Sequence, residues 1–207
     1  PAMIRLDRTP LALAALAASL LLGVIFVRWE LRRPHPVVEM RLFGERAFSA
    51  SCASIALSNF VMYTTLLALP LFMDHVRGDN ERTIGLTLAA MSALSAIWGL
   101  LGGRISDQRG RWLPAVTGAV GLLLGIGLLA GVLDATKLWP IALALAVMGI
   151  GLGVQSAPVQ TSAVEAAPMD KTGAAAGVYS TSRYLGSVIG ATVLAIVFTS
   201  DPMPGDT

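Results

Sequence analysis

Charged residues are scarce in this sequence. Only 14% of its 207 residues are Asp, Glu, Lys or Arg, whereas a typical soluble domain has about 25%. Hydrophobic residues make up 55% of the chain, and the mean hydropathy is +0.69. So little charge excludes an ordinary soluble globular domain and indicates that lipid is the solvent for most of the surface.

Cysteine and histidine are also scarce. The single cysteine, Cys52, cannot form an internal disulfide and is interpreted as a small packing residue. The histidines, His35 and His75, lie in predicted loops away from other ligand types, so no metal site is predicted. No nucleophile–base pair, phosphate-binding loop or basic aromatic surface is apparent. We therefore expect neither an enzyme nor a nucleic-acid-binding protein, and no bound cofactor.

Long runs without charge divide the chain. Each approaches or exceeds the roughly 20 apolar residues that a spanning helix needs, and Arg183 alone interrupts the last run. Because a spanning segment must satisfy its own backbone in lipid, the runs predict helices. The predicted spans are residues 1–28 (an accessory helix), 47–73, 83–103, 112–133, 138–164 and 173–200. The predicted fold class is an all-α polytopic membrane protein with six transmembrane helices.

The accessory helix has a competing interpretation as a secretory signal peptide, because Arg5 and Arg8 precede its apolar core. The length of the run and the absence of a small-residue cleavage site favour a membrane anchor. Residues 29–46 are interpreted as a cytoplasmic linker, residues 47–200 as a partial helix bundle and residues 201–207 as a tail.

The loops differ in basic charge. The loops after the first, third and fifth predicted spans hold nine Lys and Arg residues, and the segments on the opposite side hold five. Because short basic loops tend to face the cytoplasm, residues 103–112 are predicted to be cytoplasmic.

Glycine is abundant, with 21 residues, and much of it recurs at the GxxxG spacing that lets membrane helices approach closely. The spacing predicts either tightly packed helices of a moving transporter or ordinary helix packing. The candidate packing residues are Gly149, Gly153, Pro158, Gly173, Gly177, Gly186 and Gly190.

The stretch "GGRISDQRGRW" is a charged segment between two long apolar runs. It resembles the loop motif of the major facilitator superfamily, approximately G-x-L-x-D-R-x-G-R-R. Gln108 and Trp112 depart from that pattern. The resemblance implies a conformational latch. The candidate motif residues are Gly103, Arg104, Asp107, Gly110 and Arg111.

Asp107 is predicted to cap the following helix or to pair with Arg104 or Arg111. Gly110 is predicted to adopt a positive φ, which a side chain would oppose.

Three further stretches narrow the resemblance. "GIGLGVQSAPVQ", "GAAAGVYSTSRYLGSVIGA" and the linker "WELRRPHPVVEMRLFGERAF" are similar to the C-terminal half of fourteen-span drug:proton antiporters of the EmrB/QacA type. The resemblance implies that the six spans correspond to the eighth to thirteenth of fourteen and form most of the C-terminal bundle. It also implies multidrug efflux from bacterial cells across the cytoplasmic (inner) membrane, with the proton gradient as the coupling source.

On this interpretation the chain is a fragment, because it begins with Pro1 and contains no first bundle. Its expected partners are the lipid bilayer, the N-terminal bundle of the same transporter and a lipophilic small-molecule substrate. Facilitators move two bundles around a site at the bilayer midplane, so the fragment is not expected to transport alone.

Polar residues inside the spans are candidates for lining a cavity: Asn59, Tyr63, Gln155, Gln160 and Arg183. Asn59 and Tyr63, with the adjacent Thr64 and Thr65, form one polar cluster. An intramembrane charge is a candidate functional residue by default, so Arg183 is predicted to face a cavity or a partner carboxylate. The alternatives are snorkelling of Arg183 to the interface and plain interhelical hydrogen bonding by the others.

No Asp or Glu lies near the middle of a span, so a coupling carboxylate is expected in the absent half. Two other functions remain open. One is a facilitator for a metabolite or a metal chelate, and the other is a non-transporting scaffold or sensor.

Overall fold

The computed structural model describes residues 17–19, 21–25, 28–29, 40–133 and 137–200. The chain separates into two compact units, Pro1–Met40 and Arg41–Thr207. In the first unit, residues 17–19, 21–25 and 28–29 are helical. Most of the predicted accessory span and linker, and the whole tail, lie outside the described residues.

The second unit consists of long helices. Short 3₁₀ helices at Met40–Gly44 and Met169–Lys171 precede the first and the last of them. The five long helices are α1 (Arg46–His75), α2 (Glu81–Arg109), α3 (Trp112–Val132), α4 (Trp139–Glu165) and α5 (Thr172–Ser200). Each of the five is long and apolar enough to cross a membrane. The chain is therefore an all-α, multi-pass membrane protein, as the charge-free runs predict.

The end of α2 differs from the prediction. The helix continues six residues past the predicted end at residue 103, so most of the charged stretch is helical and only Gly110 and Arg111 form the turn. The charged side chains near this end are compatible with a helix that extends beyond the hydrocarbon layer. Gly110 ends it with φ 83° and ψ 168°, a backbone region that is essentially restricted to glycine. The predicted positive φ is confirmed.

Helix α4 is the central helix of the unit. More than half (56%) of its membrane-length window is buried, against 11–22% for the other four helices. Helices α2 and α3 pack along it, and α1 and α5 pack mainly against each other while also contacting α4. The buried core contributed by α1, α2, α3 and α4 consists of Leu69, Met73, Ile84, Met91, Leu122, Ile141, Leu145 and Met148.

Glycines of α4 bring α2 into backbone contact. A Cβ atom added at Gly149 or Gly153 would meet the carbonyl oxygen of Met91 or Ser95, respectively, on α2. From the α2 side, a Cβ at Gly102 would lie 2.8 Å from the Cα of Val154. Small residues therefore allow the close approach of these two helices.

Helices α3 and α5 approach their neighbours in the same way. A Cβ at Gly118 or Gly125 on α3 would lie 2.7 Å from the backbone nitrogen of Gln155 or Met148 on α4. On α5, a Cβ at Gly186 would meet the carbonyl oxygen of Ala56, and one at Gly190 would lie 2.7 Å from that of Phe60.

Two predicted packing glycines make no such contact within the described residues. Gly173 and Gly177 are exposed, and no described atom of another helix lies within 4 Å of a Cβ added at either position. The GxxxG spacing fixes which residues share a helix face but not whether another helix lies against that face, so close packing at these two glycines stays a prediction. Pro158 is buried inside α4.

Candidate functional site

A cavity of about 390 Å³ lies between α1, α2, α4 and α5. Its wall combines hydroxyl and amide side chains with apolar ones, and Arg183 is the only charged residue among the described residues that line it. The lining residues are Ser54, Ile55, Ser58, Asn59, Met62, Ser95, Leu152, Gln155, Ser156, Ala157, Val159, Gln160 and Arg183. The volume lies within the range of small-molecule sites, about 300–1,000 Å³.

Gln155 connects α4 to α1 in the wall of the cavity. Its Nε2 donates to Ser58 Oγ at 3.0 Å, and its Oε1 accepts from Ser54 Oγ at 3.4 Å. Gln155 is 3% exposed, so both ends of a buried amide are satisfied by the neighbouring helix. The side chain thus lines the cavity and also holds the two helices together.

Arg183 reaches the cavity from α5. It lies eleven residues after Thr172, or about 16 Å along the helix axis at 1.5 Å per residue. Half of a hydrocarbon core is about 15 Å, so Arg183 sits near mid-depth. Its guanidinium carbon is 5.5 Å from the centre of the Tyr179 ring. Within the described part of the chain, the buried Nε of Arg183 has no hydrogen-bond partner, and neither does the buried hydroxyl of Tyr179.

The remaining cavity candidates are placed differently. Asn59 lines the cavity, and its Nδ2 donates to the carbonyl oxygen of Ile55 at 3.0 Å. Gln160 lines it as an exposed residue. Tyr63 does not line it and is 38% exposed. Its predicted role in lining a substrate cavity is not supported by this pocket and stays a prediction.

Thr64 and Thr65 also do not line this cavity. They line a second, mostly apolar pocket of about 310 Å³ between α1 and α3. Its other lining residues are Ala68, Leu69, Phe72, Leu129 and Leu133.

At the α2–α3 turn, Arg111 forms a salt bridge with Glu165, the last residue of α4. Asp107 is exposed in the last turn of α2, and it makes no ion pair with any described residue. The predicted helix cap at Asp107 is therefore wrong, since its helix runs on to Arg109 and Arg111 occupies the N-cap position of α3. Gly103 lies in α2 opposite Ala157, with 3.7 Å between an added Cβ and the alanine Cβ. Arg104 is exposed.

Sequence reasoning missed part of this site. Ser54 and Ser58, four residues apart on α1, hold Gln155, and Glu165 is the partner of Arg111. The repeated serine spacing could have indicated the first feature, whereas only the folded bundle reveals the second. Among the described residues, no three His, Cys, Asp or Glu side chains come together in an arrangement that could hold a metal ion.

Comparison with known proteins matches residues 8–191 to the family described as Major Facilitator Superfamily. The "Uncharacterized MFS-type transporter YwoD" of Bacillus subtilis is 30% identical over 87% of this chain and 40% of its own length. The "Multidrug resistance protein Stp" of Mycobacterium tuberculosis is 30% identical over 85% of this chain and 33% of its own length. The "Methylenomycin A resistance protein" of Streptomyces coelicolor is 28% identical over 91% of this chain and 40% of its own length.

The chain thus spans well under half the length of these relatives. The family match covers all of α1 to α4 and most of α5, including the cavity and the α2–α3 turn. The five membrane-length helices agree with it. The chain belongs to the Major Facilitator Superfamily of membrane transporters.

Proposed function

We propose that this chain is part of the C-terminal half of a fourteen-span drug:proton antiporter in the bacterial cytoplasmic membrane. The complete transporter would export lipophilic small molecules by alternating access, with the α2–α3 turn on the cytoplasmic side. Relatives named "Multidrug resistance protein Stp" and "Methylenomycin A resistance protein" support the drug-efflux part of this proposal.

The observation that carries the proposal is the cavity at mid-depth. Facilitator transporters bind substrate near the bilayer midplane, where two bundles meet. Here Arg183 and Gln155 lie about 15 Å from the helix ends on the side of the α2–α3 turn, and both line the same cavity. Apolar residues such as Ile55 and Met62 share its wall, which suits a lipophilic ligand.

The α2–α3 turn is proposed to act as a conformational latch at one end of the bundle. Arg111 links the turn to the end of α4 through Glu165, and Asp107 stays available to a group outside the described residues. A pair at the protein surface has a small intrinsic free energy, so it can form in one conformation and break in the other.

Proteoliposomes that contain the full-length transporter test the function. We expect export of lipophilic dyes when a proton gradient is imposed, and loss of export when an ionophore collapses the gradient. Residues 1–207 alone, reconstituted in the same way, should not transport. Dye export at a rate that does not depend on the proton gradient would contradict antiport. If no dye moves through a correctly folded protein, the interpretation as a non-transporting scaffold or sensor would be favoured instead.

A further inference from the structure

We propose that the cavity binds amphiphilic anions, and that Arg183 pairs with the carboxylate or a similar acidic group of the substrate. This inference rests on the proposed transport function and narrows its substrate class. It excludes lipophilic cations as the preferred ligands of this bundle.

The charge of the cavity wall is the first argument. Among the described residues that line the cavity, Arg183 is the only Lys or Arg, and none is Asp or Glu. The acidic residues of the described second unit all lie in the first or last turns of helices or in the connections between them. They are Glu45, Asp74, Asp79, Glu81, Asp107, Glu165 and Asp170.

The second argument is that Arg183 lacks a counter-charge. A charged side chain at mid-depth in a membrane is costly unless it pairs or faces a water-filled cavity. Arg183 makes no salt bridge with any described residue, and its buried Nε has no hydrogen-bond partner among them. The guanidinium lies 5.5 Å from the centre of the Tyr179 ring, and no carboxylate of the described residues pairs with its planar fork. That fork matches a carboxylate with two parallel hydrogen bonds.

The space beside Arg183 favours a ligand over a carboxylate from another helix. A side-chain carboxylate would fill little of a cavity of about 390 Å³. Neutral donors also converge on this space, since Ser58, Asn59 and Gln160 share the wall with Arg183. The apolar residues Ile55, Met62, Leu152 and Val159 also line the cavity. One cation, several neutral donors and apolar surface together fit an amphiphile with a single negative head group.

Three pyrene probes with the same apolar body test the proposal: 4-(1-pyrenyl)butyrate, its methyl ester, and 4-(1-pyrenyl)butyltrimethylammonium. Binding to the full-length transporter in nanodiscs is measured by pyrene fluorescence against empty nanodiscs. We expect the wild type to bind the butyrate about tenfold more tightly than the ester or the cation, as a charge-assisted hydrogen-bonded pair would provide.

Arg183→Gln should remove this preference, and Arg183→Lys should keep part of it, because the charge remains without the bidentate fork. Arg82→Gln is the matched control, since it removes an equal charge from an exposed position at the start of α2. It should leave the preference for the butyrate unchanged. Size-exclusion chromatography establishes that each variant is folded. If Arg183→Gln does not fold, the test uses the wild type and Arg183→Lys. A butyrate preference in the wild type that is weaker in Arg183→Lys supports the proposal, and an equal preference in both overturns it.

Wild-type protein that binds the three probes equally, prefers the cation or binds none of them overturns the inference. So does an anion preference that survives in folded Arg183→Gln. Transport is a separate readout, measured in proteoliposomes with a proton gradient. An Arg183-dependent anion preference without gradient-driven transport would support the anion site and contradict the proposed transport function. Gradient-driven export without any anion preference would support the transport function and overturn the anion site.

Discussion

Arg111 and Glu165 are 54 residues apart in sequence and form a salt bridge that joins the α2–α3 turn to the end of α4. The side chains are 34% and 53% exposed, respectively, so water and salt screen the pair and its contribution to stability is below about 1 kcal/mol. Its position suggests that it biases a conformation of the bundle more than it stabilises the fold.

Glu165→Gln should therefore lower the initial rate of gradient-driven export several-fold and leave the thermal unfolding midpoint nearly unchanged. The charge-exchanged double variant Arg111→Glu/Glu165→Arg should recover much of the rate, because the attraction is restored. Asp170→Asn neutralises an exposed acid in the following connection and serves as the control. A double variant no better than the single one would reject the latch role of this pair.

Asp107 provides a second test of the latch. It lies in the last turn of α2, where the carbonyl ends of the helix disfavour a negative charge by about 0.3–1 kcal/mol. Asp107→Asn should slightly raise the free energy of unfolding of the full-length protein while lowering its export rate. Unchanged export would remove Asp107 from the mechanism. Reduced stability would mean that the carboxylate has a stabilising partner in the folded transporter.

Gly102 tests the contact between α2 and α4. The methyl group of Gly102→Ala would lie 2.8 Å from the Cα of Val154, and backbone atoms cannot move aside as a flexible side chain can. We expect the free energy of unfolding to fall by about 1–3 kcal/mol, the usual cost of overpacking. Denaturant titration in detergent micelles measures this change. Gly127→Ala on α3 is the control, since no described atom lies within 4 Å of its added Cβ. That variant should be neutral or stabilised by up to about 1 kcal/mol.

Gln155 and Gln160 form a matched pair in the cavity wall. Gln155→Leu removes two hydrogen bonds to α1 and leaves Ser58, which is 5% exposed, without its partner. Interhelical hydrogen bonds in membranes contribute about 0.6 kcal/mol on average and up to about 1.7 kcal/mol. We therefore expect the free energy of unfolding to fall by about 1 kcal/mol. Gln160→Leu at the exposed position should leave stability unchanged. Equal losses in the same unfolding assay would contradict the assigned role of Gln155.

Much of the fold follows from local sequence. The run from Ala47 to Met73 has no charged residue and becomes α1, because an uncharged segment of that length can satisfy its backbone in lipid only as a helix. Gly110 ends α2 because few other residues tolerate its φ of 83°. These features depend on single residues or on short runs, so they can be predicted without knowledge of the neighbouring helices.

The cavity could be predicted only in part. Gln155 and Arg183 are unusual inside spans, and each polar side chain in lipid needs a partner or a cavity. Their chemistry alone therefore identified them. Asn59 and Tyr63 have similar sequence contexts, yet only Asn59 lines the cavity. The difference depends on how α1 is rotated about its axis, which its contacts with α4 and α5 determine.

The sequence by itself determined that this protein is a multi-pass helical bundle with a charge-bearing turn and one arginine at mid-depth, because hydrophobicity and glycine act locally. The tertiary structure alone decided that Glu165 pairs with Arg111. Within the described residues it also decided that Gly186 packs against another helix while Gly177 does not, and that no carboxylate pairs with Arg183. Each of these outcomes depends on which helix faces which, and helices with similar apolar surfaces leave that choice to packing over the whole bundle.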